Sequence, residues 1–372
     1  MKTFKNGNLV KLVAFFILTV ILSCTVAYAA QDWHGPTVSK PDDNGKTEDN
    51  KPSGETDENT DGNTQNKVEA SKPVPEFLHY ITGLEITEEE QHIKPLCFTF
   101  STDAPIYGLS SSYLVVELPC ENGKTRFAAF FDDATSIGKI GSIAPTRGYI
   151  SNIVSYFGGL PLSLGSDQKV KYDSLHISDG MLDISKNTGY HYTEYNDYAY
   201  TNGDLLNALI KNTNISTVRT ETPSVPYCFA DYSKPLYLNG ESAVSITVPY
   251  SDGNSTELMY SDSDKSYTLL KNGTVKTDLI NDKACKYDNV FILFADSTTY
   301  ETSEYTECVL NTASSGTGKY ASMGKYVDIT WSVDTDGNLT FFDKDSKKLT
   351  VNRGTSYISF TKSSTISKIS IK

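Results

Sequence analysis

The chain has 372 residues and a formal net charge of -13, with 38% hydrophobic and 11% aromatic residues. That length allows two domains of about 100 to 200 residues once any unstructured part is set aside, and the apolar content is enough for real cores. The acidic balance disfavours nucleic acid, anionic lipid and anionic polymer as bulk partners, so an anion would need a local basic pocket.

The first element is a leader. Lys2, Lys5 and Lys11 form a positive start, and Leu12 to Ser23 is an apolar run of about a dozen residues. A run that short does not comfortably span about 30 Å of hydrocarbon; it fits the apolar core of a secretory signal. Two exits are open. Ala27-Tyr28-Ala29 is a small-x-small cleavage site, giving a signal peptide over 1–29 and a secreted protein. Ile21-Leu22-Ser23-Cys24 is an imperfect lipobox, which makes Cys24 a candidate lipidation site and the product a membrane-anchored lipoprotein. An uncleaved signal is a third outcome. All three place the folded part outside the cytoplasm.

Residues 30–75 carry almost nothing apolar beyond Trp33, Val38, Val68 and Val74. Such a stretch cannot bury enough surface to offset its chain entropy, so it is expected to be a disordered acidic linker. A coil of about 45 residues spans roughly 35–40 Å, which suits a tether.

A first domain is expected over 76–221. Phe98 to Phe100, Tyr113 to Leu118 and Thr125 to Phe131 are short β-branched or aromatic runs bounded by Gly, Pro and Asn. Asn122-Gly123 signals a hairpin between the last two. The period then changes. Ile150, Ile153, Val154 and Phe157 share one helical face, with Thr146 as cap and Gly158 as stop. Leu205, Leu206, Leu209 and Ile210 mark a second helix, with Thr201 and Asp204 arranged as a capping box. Strands with helices predict an α/β N-terminal domain, a sheet with flanking helices.

After the join Thr222–Pro226, no helical stripe is present. Ala243 to Val248, Tyr267 to Leu270, Val290 to Phe294, Tyr326 to Trp331, Leu339 to Phe342 and Tyr357 to Phe360 are strand-like, and Asn272-Gly273 and Asp336-Gly337 are hairpin turns. The second domain, 227–372, is expected to be mainly antiparallel β.

Few residues suggest chemistry. His34, His79, His92, His176 and His191 are scattered without ligand spacing, and no C-x-x-C exists, so neither a metal nor a cofactor is expected. Ser315-Gly316-Thr317-Gly318 lacks the ending of a phosphate loop. Outside the cell, disulfides persist. Cys285 with Cys308, and Cys97 with Cys120, are separated like neighbours on adjacent strands and are candidate bridges, leaving Cys228 over. The remaining constellation is Arg126 on a strand, Arg147 at a helix start, and Glu117 and Glu121 just before Arg126. An arginine at a helix start, near a second arginine, can grip a phosphate or carboxylate. The other role for these four residues is an ordinary Arg–Glu pairing between neighbouring elements.

The stretch Tyr113 to Phe131 (YLVVELPCENGKTRFAAFF), followed by IGSIAPTRGYI at Ile140 to Ile150, resembles the YerB-like lipoproteins of Gram-positive bacteria. So do SGTGKYASMGK at Ser315 to Lys325, Val327 to Trp331, Phe342-Asp343 and LTVNRGTSYI at Leu349 to Ile358. The resemblance covers nearly everything after residue 76 and implies two domains of unknown function and an envelope address. Glu117, Glu121, Thr125, Arg126 and Arg147 match the family pattern. Tyr113, Ala144, Leu162 and Asp197 stand where the family has an acid, an arginine and two histidines, which implies that a site built from those groups is depleted here. In its order of acidic strand, Arg strand and Arg at a helix, the first domain is also similar to the LytR–CpsA–Psr envelope transferases.

Together these readings predict an exported cell-envelope protein with a non-enzymatic binding or scaffolding role, an envelope protein or a glycan or lipid as partner, and no nucleic acid. Membrane contact would run only through a lipid anchor or an uncleaved signal. The alternative is an envelope enzyme or carrier acting on a phosphorylated lipid or glycan.

Overall fold

The computed structural model describes residues 73–372 apart from 166–181, 186–187, 195, 222 and 302–305. The expected signal peptide, Cys24, nearly all of the linker, His34 and His176 lie outside the described residues.

Hairpin chemistry sets the centre of the molecule. Leu114–Pro119 and Thr125–Phe131 pair antiparallel from Leu114↔Phe130 to Pro119↔Thr125. Asn122 (φ 53°) and Gly123 (φ 72°) turn between them, both left-handed as a two-residue primed turn requires. Leu96–Ser101 lies against Thr125–Phe131, and Ser356–Lys362 lies parallel to Leu114–Pro119 on the other side. Ser356–Lys362 in turn pairs parallel with Asn289–Ala295. Strands from both halves of the chain therefore form one 14-stranded sheet.

That sheet is covered on both faces, so its central strands are buried throughout rather than alternating. On one face Phe98, Phe127, Val115, Ile292 and Tyr357 share a core with Leu206 and Leu209 of the helix Gly203–Thr213. Ile246, Val248, Leu258 and Leu269 of a second, six-stranded sheet complete this core. On the other face Leu114, Val116, Phe130, Phe291 and Ile358 meet Ile150, Ile153 and Val154 of the helix Gly148–Tyr156. Burying one such side chain stabilises the fold by about 1.5–3 kcal/mol.

The α/β expectation for the N-terminal half is corrected. The described residues are mostly β. The N-terminal half adds Ile140–Ile143, Leu160–Ser163, Leu182–Asp183, Tyr192–Glu194 and Tyr198–Thr201 to the sheet, against helices of 9 and 11 residues. These strands are two to four residues long, and the first three contain Gly, Ser, Pro or Asp, so they are too short to carry a detectable period-2 run. The two helices pack on opposite faces of a shared sheet and do not make an α/β layer. Their starts also differ from expectation. Arg147, not Thr146, is the residue before the first helix. Asn202 caps the second, its side-chain oxygen accepting from Leu205 N at 3.0 Å.

Candidate functional site

Strand alternation separates the four residues of the expected anion site. Arg126 registers with Leu118, and Glu117 with Phe127. Successive side chains point to opposite faces, so Glu117 and Arg126 lie on opposite sides of the sheet.

On the face that carries the Gly148–Tyr156 helix, Glu121, Arg126 and Arg147 converge. One Glu121 oxygen accepts from Arg126 Nη2 at 2.6 Å, and the other accepts from Arg147 Nη2 at 2.6 Å. The side chains are 18%, 10% and 7% exposed. Arg126 also donates to the Thr125 carbonyl at 3.2 Å, and Arg147 to the Thr146 carbonyl at 2.8 Å. Burial by itself would raise the Glu121 carboxyl, but the two guanidinium charges outweigh it and hold the group below the usual carboxylate range. Glu121 thus occupies the place between the arginines where a ligand anion would sit. The trio keeps one net positive charge, with Nη1 and Nη2 of both arginines already engaged.

On the opposite face Glu117 is fully buried. One oxygen accepts from Thr125 Oγ1 at 2.5 Å and from Lys271 Nζ at 2.6 Å. The other accepts from Thr256 Oγ1 at 2.6 Å and from the Tyr357 hydroxyl. Thr125 and Tyr357 come from the flanking strands. Thr256 and Lys271 face each other in the second sheet and point inward together. Burial would raise Glu117, yet Lys271 and the hydroxyl donors hold it below its ordinary value. Burial pushes the Tyr357 phenol well above its own. This node ties both halves of the chain together, with every carboxylate lone pair engaged internally. Lys271, Thr256 and Tyr357 went unnoticed in the sequence; the one available hint was an acid inside an otherwise apolar strand.

The expected disulfides are corrected as well. Cys97, Cys120, Cys228, Cys285 and Cys308 form no disulfide. Cys97 is level with Phe130, which is level with Leu114. Cys120 lies six residues further on, about 20 Å at strand rise, whereas a bridge needs Cα atoms within about 7 Å. Cys285 belongs to the core on one face of the main sheet and Cys308 to the core on the other. The hairpin neighbour of Cys308 is Thr299.

One constellation resembles a catalytic triad. His79 Nε2 is 3.2 Å from Asp132 Oδ2, and its Nδ1 is 3.1 Å from Thr82 Oγ1. The same Nδ1 accepts the Thr82 backbone N–H at 3.0 Å, so its lone pair is taken and it is unsuited to act as a base toward the hydroxyl. His79 and Thr82 are each 4% exposed. The set reads as a structural pin.

Among the described residues no group of three or more His, Cys, Asp or Glu side chains could hold a metal. Of the clefts found, one of about 520 Å³ is lined by loop 102–106 and the segment 271–279. A smaller one, about 200 Å³, is lined by Tyr232, Asp288, Asn352 and Arg353. Neither is lined by Arg126 or Arg147.

Two family models match the chain. The N-terminal domain of a protein of unknown function (DUF3048) covers residues 81–217, and the corresponding C-terminal domain covers 246–358. Among solved structures, the YerB protein from Bacillus subtilis is similar, with a TM-score of 0.68 at 19% identity, covering 80% of this chain and 99% of that one. At that identity the likeness speaks for the fold alone. No curated protein matches the chain.

Proposed function

From a chain that belongs to the YerB-like DUF3048 family across both of its domains, we propose a protein that works outside the cytoplasm as a non-enzymatic binding or scaffolding component of the cell envelope. The address is supported by the Lys-rich start and the short apolar run Leu12 to Ser23. The role is supported by one observation above all: Glu121 fills the gap between Arg126 and Arg147. A transferase acting on a phosphorylated carrier needs those guanidinium groups directed at its ligand. Here a phosphate would have to displace a carboxylate already held by two charge-assisted contacts, each about 1.5–3 kcal/mol.

Calorimetric titration with inorganic pyrophosphate tests the role. The expected result is no saturable heat. Saturable binding that Arg147→Ala abolishes would favour the carrier or enzyme reading instead. Mass spectrometry of the native protein tests the address: its N-terminus should be Ala30 or a lipidated Cys24, and an intact Met1 on a cytoplasmic protein would end that part of the proposal.

A further inference from the structure

The 520 Å³ cleft lies where the two halves of the chain meet, and its walls are fixed. Asp278, fully buried, accepts from the backbone N–H groups of Gly108 and Ser110 at 2.9 Å each and from the Ser110 hydroxyl at 2.7 Å. Leu279 N donates to the Ile106 carbonyl at 3.0 Å. Lys276 Nζ donates to the Thr102 carbonyl at 2.7 Å. Each contact joins the N-terminal loop to the C-terminal strands, so the cleft is preformed and a ligand need not order it.

Its lining is two-sided. Pro105, Ile106, Val275 and Leu279 make an apolar wall, and Val275 and Leu279 are each 44% exposed. The polar side carries Lys271, Lys276 and Asp103. Lys271 is neutralised by Glu117. Lys276 has no carboxylate at ion-pair distance among the described residues; one carbonyl serves an ammonium with three donors. The charged or titratable groups that act on it are Lys271, Asp103, Cys285 and Glu117. Asp103, on the rim, is 3.5 Å from Lys124. Burial, with Lys271 adding to it, lowers the Lys276 pKa, as expected of a cation lacking a counter-charge. In a chain of net charge -13, Lys276 is thus a cation without a paired carboxylate, set beside an apolar wall.

We infer that the cleft binds a small amphipathic anion, one acidic group on an apolar body, with Lys276 receiving the acid and the wall formed by Pro105, Val275 and Leu279 receiving the body. Lysine acts as a compact point charge and accepts a carboxylate or a phosphate alike, so the shared chemistry is the single acidic group. Each methylene laid on the wall adds roughly fourfold in affinity. The inference supplies a ligand class for the binding role proposed above. It uses neither the export signal nor the Arg126–Glu121–Arg147 trio, so its failure would leave those readings standing.

Titration calorimetry on the intact chain with octanoate, octyl phosphate, octanol and inorganic phosphate tests it. Octanoate or octyl phosphate should saturate one site, the tighter of the two identifying the acid. Octanol and inorganic phosphate should bind at least tenfold more weakly. Lys276→Met should weaken the preferred anion at least tenfold, and Lys276→Arg should restore most of it. Val275→Asp, at an exposed position, should cause the same loss with an unchanged melting curve. Absence of saturable binding by either octyl anion would overturn the inference. So would octanol or inorganic phosphate matching them, or unaltered binding in Lys276→Met.

Discussion

Glu117 and Lys271, 154 residues apart in sequence, meet at 2.6 Å with side chains 0% and 5% exposed. Each sits where water cannot compensate its charge. Their pairing, completed by Thr125, Thr256 and Tyr357, joins the central sheet to the second sheet across its apolar core.

Breaking that pair from one side should be costly. Removing one partner of a buried ion pair strands the other charge, at about 3–5 kcal/mol. Lys271→Met and Glu117→Gln are each expected to lower stability by that order in urea denaturation. The double variant should regain a large part of the loss, because no charge is left stranded. Strictly additive losses would show that the two residues do not act as a pair.

Acid should expose the same pair. The Glu117 carboxyl is held below its ordinary value in the fold, so it contributes stability that is present above about pH 4.3. That contribution is lost as pH falls below 4.3 and through the lower folded value. Urea midpoints measured from pH 6 down to 3 should therefore fall more steeply for the wild type than for Glu117→Gln. Parallel slopes would remove Glu117 from the acid transition.

The cysteines give a chemical test. Cys228 is exposed, while Cys97, Cys120, Cys285 and Cys308 are buried. Burial raises the Cys120 and Cys285 thiols to about 12. Iodoacetamide on the native protein at neutral pH should label Cys228 alone among these five, since thiolate is the reactive form. After denaturation without reductant all five should label. A peptide linking Cys285 to Cys308 would contradict the cysteine arrangement described above.

Local signals in the sequence served well where they were strong. Asn122-Gly123 and Asn272-Gly273 turn as their left-handed dihedrals require, and the stripe at Ile150, Ile153 and Val154 is a helix with that face buried. Non-local facts were out of reach. Nothing near Glu117 points to Lys271, because their contact is made by sheet stacking rather than by chain neighbours. Counted from the Asn122-Gly123 turn, the register of Thr125–Phe131 with Leu114–Pro119 places Arg126 and Glu117 on different faces. The cysteine pairs failed for the related reason that equal spacing in sequence says nothing about level along a strand.

The central claim is that Arg126 and Arg147 clasp Glu121 within the fold instead of holding a ligand. Thermal melts of the wild type, Arg126→Ala and Arg147→Ala, each with and without pyrophosphate, test it most directly. Loss of either arginine leaves a partly buried carboxylate short of a charged partner, at about 1–3 kcal/mol. The account predicts that both variants melt lower than the wild type and that pyrophosphate moves none of the three curves. Variants that melt like the wild type, together with a wild-type curve raised by pyrophosphate and variant curves unmoved, would contradict it.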